Sequence, residues 1–387
     1  MRARDPAGLR AHNERVIMTA LMRRGPMSKA ELARATGLSG QAASVIVNGL
    51  LAEGLLRKLD KVRGGVGQPS TPVAPEPTGA YGLGVKIGRR SVEAAVIDLS
   101  GAVVAHRHAA HDAPLPAPCI GRAAELAGEC LAVLDPRARA RVVGMGLAMP
   151  GDMHAWSREL GLAPGALDGW RDFDAAAALE RAVGMAPIPC NDATAACAAE
   201  MLLGAGIPSR SALYLYLGIF IGGGVVIDGR LLIGEQGNAG AIGSMPLAPP
   251  DSEGRPGQLA HHAGLFTLER ALRAEGMDAA AVLEGDPPAA AEAVFAGWLA
   301  GAAPLVARAV AAALSVVDFP TVIIDGALNP DWRARLVAAA GRELARLNRA
   351  GLSPARLQAG TLGRMARVLG AAALPLQRRF SAEPVAG

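Results

Sequence analysis

The chain has 387 residues, a length that predicts two or three domains. Hydrophobic residues make up 51% and charged residues 19%, which supplies large apolar cores and leaves no case for global disorder. Aromatic residues are only 3%, so the composition argues against an aromatic-rich carbohydrate groove or a platform that stacks single-stranded bases. The N-terminus lacks the apolar core of a secretory signal, and glycines interrupt the longest apolar run, around residues 213–227. We therefore expect a cytoplasmic protein without a membrane span.

Charge is distributed unevenly along the chain. The net charge is +4, but residues 1–72 carry twelve Lys and Arg against five Asp and Glu, a balance of +7. The remaining residues therefore sum to −3. A small basic head joined to a mildly acidic body suggests that the head contacts a polyanion.

The four cysteines indicate a reduced protein. Cys119, Cys130, Cys190 and Cys197 form no C-x-x-C pair, and four in this length do not make a disulfide scaffold. We interpret them as structural thiols, because their spacings also fail to match a zinc site.

The basic head is predicted to begin with two helices. Residues 13–24 place apolar side chains at helical spacing, and Gly25-Pro26 ends this helix. Ser28, followed three residues later by Glu31, makes a capping box, which predicts a short second helix over residues 29–36.

A third helix and a strand are predicted next. Ser39 is a good N-cap for a helix over about 40–53, whose inward face would hold Ala43, Ile46, Val47 and Leu50. Residues 55–62 alternate enough to be a strand, and a glycine run follows at 64–67. Short helices joined by a tight turn, then a strand and a glycine-rich hairpin, predict a winged helix-turn-helix domain. The alternative is a helical protein–protein module with a solvated basic face.

In a winged helix-turn-helix domain the third helix would enter the major groove of a double-stranded DNA operator. Its exposed side chains are predicted to be Ser39, Gln41, Ala42, Ser44 and Asn48. A Gln can make a bidentate pair with adenine, and a Ser can bond to bases or phosphates. The basic residues that could neutralise phosphates are Arg57, Lys58, Lys61 and Arg63.

Residues 64–78 are rich in Gly, Pro, Ser and Thr, which predicts a linker. Within it, the segment 67–70 with Gln68 could lie along a minor groove. A simple tether is the other interpretation.

The body is predicted to be α/β. Apolar strands joined by a short basic turn open it at 81–99, a third strand follows, and strands then alternate with helices up to about residue 349. A glycine-rich hairpin occurs twice, at 81–100 and 213–230, which suggests two similar lobes.

Three stretches of the body carry a family resemblance: YGLGVKIGRRSVEAAVIDLSG from Tyr81, CNDATAACAAE from Cys190 and LGIFIGGGVVIDGRLLIGEQGNAGAIGSMPL from Leu217. In this order they resemble the ROK family of sugar kinases and sugar-responsive repressors, and the head resembles that of the repressor members. The resemblance covers nearly the whole chain and implies a two-lobed, actin-like (ribonuclease H-like) body with a sugar in its cleft. The predicted domains are 1–72 for the head, with a linker to about 78, then 79–195 and 196–387 for the two lobes.

The chain departs from the family where a kinase would hold ATP. The family's Asp-x-Gly-x-Thr turn reads Lys86-Ile87-Gly88-Arg89-Arg90, so a lysine replaces the carboxylate that would manage magnesium. The second phosphate loop reads Gly218-Ile219-Phe220-Ile221-Gly222, and the nucleoside-side Gly-Gly reads Ile324-Asp325-Gly326. Because phosphoryl transfer depends on positioning and charge neutralisation, we expect no kinase activity and no cofactor. The alternative is a cleft that still binds ATP through the substituted residues.

The sugar half of the implied site is partly kept. By resemblance, Gly151, Asn191, Asp192 and Glu269 would contact the sugar, and Asp192 stands at the position of the kinase general base. Without ATP a carboxylate there would recognise sugar hydroxyls. Asp192 could instead be the N-cap of the helix that follows it, and Glu269 an exposed helix carboxylate.

The family signature Gly-Glu-Ile-Gly-His is also altered. It reads Gly240-Ala241-Ile242-Gly243-Ser244, which by resemblance removes a sugar-contacting Glu and a zinc-ligating His. The family's downstream cysteines are replaced by AHHAGLFTLE from Ala260, and His261 with His262 cannot supply four zinc ligands. We therefore expect no structural zinc and no other metal.

Together these features predict a DNA-binding transcriptional regulator, a repressor of sugar metabolism or uptake genes, whose degenerate kinase-like body senses a sugar or derivative. Ligand would close the lobes and change the spacing of the heads in a homodimer or homotetramer. An ATP-dependent sugar kinase with an appended head is one alternative, favoured by Asp192. A ligand-free or partner-controlled DNA binder is the other, suggested by Ala241 and Ser244.

Overall fold

The structure is a computed structural model, and it describes residues 6–60, 71–204, 210–247, 249–250, 254 and 257–382. The head is a helical unit closed by a two-stranded sheet. Its elements are α1 (Pro6–Arg24), α2 (Lys29–Thr36), α3 (Gly40–Ala52), β1 (Leu56–Lys58) and β2 (Val73–Pro75).

The local signals at the helix ends of the head are confirmed. Ser28 Oγ accepts a hydrogen bond from the Glu31 backbone N–H at 3.3 Å, and the Glu31 carboxylate accepts from the Ser28 N–H at 2.7 Å. This capping box satisfies donors that would otherwise be unpaired at the start of α2. The inward face of α3 consists of the predicted residues Ala43, Ile46, Val47 and Leu50.

The prediction of a linker over 64–78 is wrong at its C-terminal end. Residues Val73–Pro75 form β2, which pairs antiparallel with β1, and Val73 is buried in the core of the head. The second strand of the wing was hidden by its prolines, which an edge strand tolerates. Lys61, the glycine run, Arg63 and Gln68 lie outside the described residues.

The first lobe of the body is a five-stranded sheet with helices on one face. Its strands are β3 (Tyr81–Ile87), β4 (Ser91–Asp98), β5 (Val103–Ala110), β6 (Val142–Met149) and β7 (Pro187–Asn191). The order is β5-β4-β3-β6-β7; β3, β4 and β5 are antiparallel, whereas β6 and β7 run parallel to β3. Its helices are α4 (Pro116–Ala132), α5 (Pro136–Arg139) and α6 (Ala175–Val183).

The second lobe repeats this topology. Its strands are β8 (Ala212–Leu217), β9 (Ile221–Ile227), β10 (Arg230–Leu232), β11 (Thr321–Gly326) and β12 (Arg356–Ala359), in the order β10-β9-β8-β11-β12. Its helices are α8 (Leu259–Ala263), α9 (Leu265–Ala274), α10 (Ala279–Glu284), α11 (Ala291–Leu314) and α12 (Pro330–Arg346). The equivalent strand orders support the prediction of two similar lobes.

Short 3-10 turns complete the described elements. They are Pro77–Gly79, Met153–Trp156, Asp168–Trp170, Ile242–Ser244 and Gly363–Met365. The predicted Asp228-Gly229 turn joins β9 and β10, and both residues have positive φ (52° and 79°), as a tight two-residue hairpin loop requires.

Two helices, α7 (Asp192–Leu202) and α13 (Ala366–Phe380), lie between the two sheets. Helix α13 packs on β3 and β6 of the first sheet, α7 packs on β8 and β9 of the second, and the two helices pack on each other. The contact between them is very close, because a Cβ added to Gly370 would lie 1.9 Å from the Ala195 carbonyl oxygen. A side chain larger than hydrogen at position 370 is therefore excluded.

The sequence did not predict α13, since Gly370 and Pro375 interrupt its helical pattern. Helix α13 falls within the predicted range 196–387, yet it packs on the sheet of the other lobe. The lobe boundary between residues 195 and 196 stays a prediction. Helix α13, from the second predicted range, packs on the first sheet, and α7, which begins in the first range, packs on the second sheet.

Helix α11 is the one helix among the described residues that is long and apolar enough, by length and composition, to cross a membrane. In the fold it lies in the core of the second lobe, where Phe295 stacks on Trp332 of α12 with ring centroids 4.2 Å apart. A core helix of a globular lobe passes the same test of length and composition.

The head and the body share one hydrophobic core. Ile17, Met18 and Leu21 of α1 belong to the same buried cluster as Leu376 and Phe380 of α13. The chain end strengthens the contact, because the Ala382 backbone N–H donates to Thr19 Oγ1 at 2.9 Å. The head is therefore fixed to α13 by apolar packing and a hydrogen bond.

Candidate functional site

A cleft of about 170 Å³ lies between the two lobes of the body. The first lobe lines it with the β3–β4 turn and the residues after β6, and the second lobe with the β8–β9 turn and residues 238–244. The starts of the two central helices line it as well, through Asp192 of α7 and Arg367 of α13. The cleft thus collects the segments that carry the family resemblance.

Lys86 is held inside the first lobe by a carboxylate on the neighbouring strand. It lies directly opposite Glu93 in the β3–β4 register, and its Nζ donates to Glu93 Oε1 and Ser91 Oγ, both at 2.7 Å. Burial lowers the pKa of Lys86, and Glu93 opposes that shift. Burial alone would raise the pKa of Glu93, but Lys86 and His106 outweigh it and lower this pKa. The lysine that replaces the family's carboxylate is thus an ion-pair partner.

Arg89, in the β3–β4 turn of the first lobe, lines the cleft. Its Nη2 donates to the Gly151 carbonyl oxygen at 3.3 Å, and its guanidinium carbon lies 5.0 Å from the Trp156 ring centroid and 4.6 Å from that of Phe220. The two rings contact each other, with centroids 3.8 Å apart. Phe220 belongs to the second lobe, so this cation–π contact joins the lobes across the cleft.

Aromatic side chains are scarce in the sequence but not in the cleft. Trp156, Tyr216 and Phe220 all line it. The overall aromatic content of 3% therefore did not predict where the aromatic residues would lie.

Asn191 and Asp192 start α7 and have different roles. Asn191 is the N-cap, because its Oδ1 accepts from the backbone N–H groups of Ala193 and Thr194 at 3.0 and 3.3 Å. The interpretation of Asp192 as the cap is therefore wrong. Asp192 is buried in the first turn, and its carboxylate is free to face a charged partner.

That partner is Arg367, which the sequence analysis missed. Arg367 Nη1 donates to Asp192 Oδ2 at 3.2 Å, and its guanidinium carbon lies 4.9 Å from the Tyr216 ring centroid. Burial would lower the pKa of Arg367, but Tyr216 and Asp192 outweigh it and raise this pKa. Burial also raises the pKa of Tyr216 to about 12. No local signal marks Arg367, because its helix was not predicted.

Glu269 is not among the residues that line this cleft. It lies on α9 in a neighbouring pocket, where its carboxylate is 3.7 Å from Arg90 Nε and 3.6 Å from Arg273 Nη2. It is only 7% exposed, so the interpretation as an exposed helix carboxylate is wrong. Burial raises the pKa of Glu269, and Arg90 opposes that shift. Of the predicted sugar contacts, Gly151, Asn191 and Asp192 are brought together and Glu269 is apart.

The residue that replaces the nucleoside-side glycine is bonded inside the second lobe. Asp325 accepts from Arg333 Nη1 at 2.9 Å, from the Tyr214 hydroxyl at 3.0 Å and from the Gly363 N–H at 3.1 Å. Burial raises the pKa of Asp325, and Arg333 opposes that shift. The described cleft lining does not reach Asp325. Its side chain serves an internal network.

The altered signature lies in the cleft and shows no ligand set for a metal. Ala241 and Ser244 line the cleft, whereas His261 lies 3.9 Å from Glu159 in the neighbouring pocket. Within the described ranges, no three His, Cys, Asp or Glu residues are grouped so that they could hold a metal ion.

The four cysteines are free thiols, buried except for the half-buried Cys190. Burial raises the pKa of Cys190 to about 12 and those of Cys119 and Cys130 to about 11. Thiols with such pKa values are poor nucleophiles at neutral pH.

The candidate DNA-reading face is the solvent side of α3. Gln41, Val45, Asn48 and Ala52 are exposed at helical spacing, and Val45 is 62% exposed. Val45 was not among the predicted contacts, although its position between Gln41 and Asn48 on one face of the helix indicates exposure. An exposed valine there can contact a thymine methyl group.

The other predicted DNA contacts fall into three groups. Ser39 is the N-cap of α3, and its Oγ accepts from the Ala42 N–H at 3.2 Å, so its oxygen already has a structural role. Ala42 and Ser44 are half-buried. Arg57 and Lys58 of β1 are exposed, as phosphate contacts require. The side chain of Asn48 on α3 already has one partner, because its Oδ1 accepts from Lys29 Nζ at 2.7 Å.

Known protein families match both the head and the body of the chain. The ROK family profile matches residues 82–378, and a MarR family profile matches residues 13–64. An uncharacterised protein, y4fQ, from Sinorhizobium fredii is 28% identical over 97% of this chain and 93% of its own length. The xylose repressor of Bacillus spizizenii is 22% identical over 63% of this chain, and the match spans 62% of that repressor.

A solved structure gives the same fold for the whole chain. It is a ROK family transcriptional regulator, a homologue of the E. coli MLC protein, with a TM-score of 0.69, 18% identity and coverage of 97% of both chains. The predicted fold of a winged-helix head on a two-lobed, actin-like body is thereby confirmed. Because the ROK family profile covers residues 82–378, well over half of its length, the chain belongs to the ROK family.

Proposed function

We propose that this protein is a DNA-binding transcriptional regulator, a repressor of sugar metabolism or uptake genes, whose body senses a sugar or sugar derivative. The observation that carries the proposal is the shared core of head and body. The reading face of α3 is exposed, while α1 behind it packs on α13, the helix that reaches the cleft with Arg367. The name of the xylose repressor among the relatives supports the same function.

The cleft supports sensing rather than phosphoryl transfer. Lys86 and Glu93 form a buried ion pair where a kinase of the family would place a metal-binding carboxylate. The candidate general base, Asp192, is paired with Arg367. Phe220 stands in the second phosphate loop and packs against Trp156 with the two rings tilted. Each change removes a part on which transfer from ATP depends, so we propose a protein without kinase activity or cofactor.

Helix α13 offers a route by which a ligand could act on the head. Its first turn places Arg367 in the cleft, and its last turns pack on α1. A ligand that changes the Asp192–Arg367 contact would shift α13, and the shift would reach the head through Leu376, Phe380 and Thr19.

The remaining features of the proposal follow from the mode of DNA binding. A head of this kind reads a half-site, so a homodimer or homotetramer would present two heads at a fixed spacing to a double-stranded operator. Such a regulator works in the cytoplasm, where the DNA and the sugar are both accessible. The contacts proposed for the operator at the reading helix are Ser39, Gln41, Ala42, Ser44 and Asn48, to which the exposed Val45 is added. Arg57, Lys58 and Arg63 are proposed for phosphates, and Gln68 for a minor groove.

Selection of genomic fragments by the purified protein tests the proposal. We expect recovery of a palindromic site near sugar-uptake or sugar-metabolism genes, and release of that site by a sugar or derivative from the encoded pathway. A matched protein with Gln41→Ala should lose the site, whereas Arg122→Ala, at an exposed arginine of α4, should retain it. Recovery of no preferred sequence would contradict the proposal.

A variant at the head–body contact tests the route through α13. Thr19→Val keeps the shape of the side chain but removes the acceptor for the Ala382 N–H. We expect sugar and DNA to bind separately as before, with a smaller effect of sugar on DNA affinity. An unchanged effect would refute the route through this contact.

A sugar kinase with an appended head is the second candidate, because Asp192 lies in the cleft. An assay of ADP release over a panel of hexoses, pentoses and amino sugars separates the two functions. Steady turnover that Asp192→Asn abolishes would favour the kinase.

A further inference from the structure

Five buried polar atoms, all on residues that line the cleft, have no hydrogen-bond partner within the described part of the chain. They are the Nε atoms of Arg89, Arg90 and Arg367, the indole Nε1 of Trp156 and the hydroxyl of Tyr216. The first four can only donate, and the tyrosine hydroxyl can also donate. Most buried polar groups in proteins have a hydrogen-bond partner, so such a cluster of donors indicates that an acceptor belongs in the cleft.

The basic side chains around the cleft differ in whether a carboxylate lies close to them. Lys86 is paired with Glu93 and Arg367 with Asp192, and Arg90 Nε is 3.7 Å from a Glu269 oxygen. As far as the structure describes the chain, Arg89 has no carboxylate within 4.0 Å. Its recorded contacts are the Gly151 carbonyl oxygen and the faces of Trp156 and Phe220.

The guanidinium of Arg89 is therefore half-buried in the cleft without a carboxylate in contact. Burial lowers the pKa of Arg89 to about 10, which still leaves the guanidinium charged at neutral pH. A buried charge is costly unless it is paired and hydrogen-bonded. The rings of Trp156 and Phe220 flank the guanidinium and favour its position in the cleft.

We propose that the ligand of the cleft is an anionic sugar derivative, whose phosphate or carboxylate group binds between Arg89 and Arg367. This rests on the proposed function, since it names the ligand class of the sensing cleft. The planar guanidinium groups offer paired donors to an oxyanion, and the Tyr216 hydroxyl and the Trp156 N–H add two more. The sugar ring then lies towards Asn191 and Asp192, which recognise hydroxyl groups.

This arrangement also explains how such a ligand would be sensed. Arg89 belongs to the first lobe and contacts Phe220 of the second, while Arg367 starts α13. An anion bound between the two guanidinium groups competes with Asp192 for Arg367. Binding therefore acts on α13, a helix that runs from the cleft to the core shared with the head.

Calorimetric titration of the full-length protein with matched ligands tests the proposal. The probes are glucose, glucose 6-phosphate and glucuronate; N-acetylglucosamine and its 6-phosphate; xylose and xylose 5-phosphate; and inorganic phosphate, all at one ionic strength. We expect at least one anionic sugar to bind more than tenfold tighter than its neutral parent. Within the glucose set, the 6-phosphate and glucuronate show which anion is preferred. Equal or tighter binding of the neutral sugars, or no binding of any anionic sugar, overturns the proposal.

Variants at Arg89 give a second test. Arg89→Met keeps an apolar stem between Trp156 and Phe220, and we expect it to reduce the ratio of the affinities for the anionic sugar and its neutral parent at least tenfold. Arg89→Lys keeps the charge and should retain part of the anionic preference. The role of position 89 can therefore still be measured if the Met variant folds poorly. Arg122→Met, at an exposed arginine of α4, is the control. A preference that survives both substitutions at position 89 overturns the proposal.

The same samples separate this inference from the proposed function. DNA binding is measured without ligand on the wild type and on both Arg89 variants. Intact DNA binding together with tight binding of a neutral sugar would leave the regulator standing and refute the anionic ligand. If the wild type shows no sequence-specific DNA binding, the proposed regulator function is refuted, whatever the cleft binds.

Discussion

Arg367 Nη1 lies 3.2 Å from Asp192 Oδ2, and this contact joins the first turn of α13 to the first turn of α7. Both side chains are largely buried, with 15% and 12% exposure. The two residues are 175 positions apart in the chain, and their helices pack on each other between the two sheets. The ion pair therefore links the ends of α7 and α13 that line the cleft. It also engages the carboxylate that a kinase would use as a base.

Replacing Arg367 by methionine should destabilise the protein by about 3–5 kcal/mol, because it leaves the Asp192 charge buried without a partner. The change is measured as the free energy of unfolding in urea. Arg367→Met combined with Asp192→Asn should recover a large part of the loss, since the unpaired charge is then removed. If the double variant is as unstable as the sum of the single variants, the two residues do not interact in the way the structure places them.

The Lys86–Glu93 pair predicts the behaviour of the protein in acid. The pKa of Glu93 is lowered from 4.5, so the stability it contributes is present above that pH and is lost as the pH falls through its folded value. Glu93→Gln should therefore be less stable than the wild type at pH 7 and show a smaller further loss on acidification below pH 4.5. The groups that face Glu93 are Lys86, Ser91 and His106, with Arg367 further away.

Urea unfolding between pH 7 and pH 3 checks this expectation. Glu269 and Asp325 have raised pKa values and act in the opposite direction, so the difference between wild type and variant is the quantity to follow. Parallel curves for the two proteins across this range would show that the charge of Glu93 is not stabilised by its neighbours.

The DNA-reading head predicts different effects for its two kinds of contact. Arg57→Ala with Lys58→Ala should weaken all DNA binding and reduce the slope of log K against log salt by about 2 per head, if each residue neutralises one phosphate. Gln41→Ala should cost about 1–3 kcal/mol on the specific site and little on random DNA. Val45→Ala should cost about 1 kcal/mol at most, at a position where a thymine methyl is read.

Fluorescence anisotropy at several salt concentrations measures these effects. The control is Arg122→Ala, which removes an exposed arginine of the body and should leave the slope unchanged. A salt slope that is the same in the Arg57 and Lys58 double variant would place the phosphate contacts elsewhere on the head.

The sequence predicted those features of the site that short segments encode. The capping box at Ser28, the inward face of α3 and the strand pairs of both lobes follow from local spacing, and the structure has them. The approach of Gly151, Asn191 and Asp192 followed from family motifs in the chain. Each of these depends on residues that are near one another in sequence or in a shared motif.

Features that depend on distant packing were not predicted. Helix α13 contains Gly370 and Pro375, which read as helix breakers, yet Gly370 is there because the α7 backbone needs the space. The position of Arg367 was lost with that helix. Glu269 was placed in the cleft by resemblance, but its burial beside Arg90 and Arg273 holds it in the next pocket.

The contact between α7 and α13 gives the sharpest prediction about the fold. Gly370→Ala would place a Cβ 1.9 Å from the Ala195 carbonyl oxygen, a distance that no relaxation of a flexible side chain can relieve, because the obstacle is backbone. The two helices must separate, so we expect a large loss of stability and exposure of the core shared with the head. Gly297→Ala, at an exposed position of α11 with nothing within 4 Å of the added Cβ, should instead stabilise the protein by up to about 1 kcal/mol. Thermal unfolding of the two variants beside the wild type measures both effects with the same chemical change. A Gly370→Ala protein as stable as the wild type would mean that α13 does not pack on α7 at this distance, and the link from the cleft to the head would lose its structural basis.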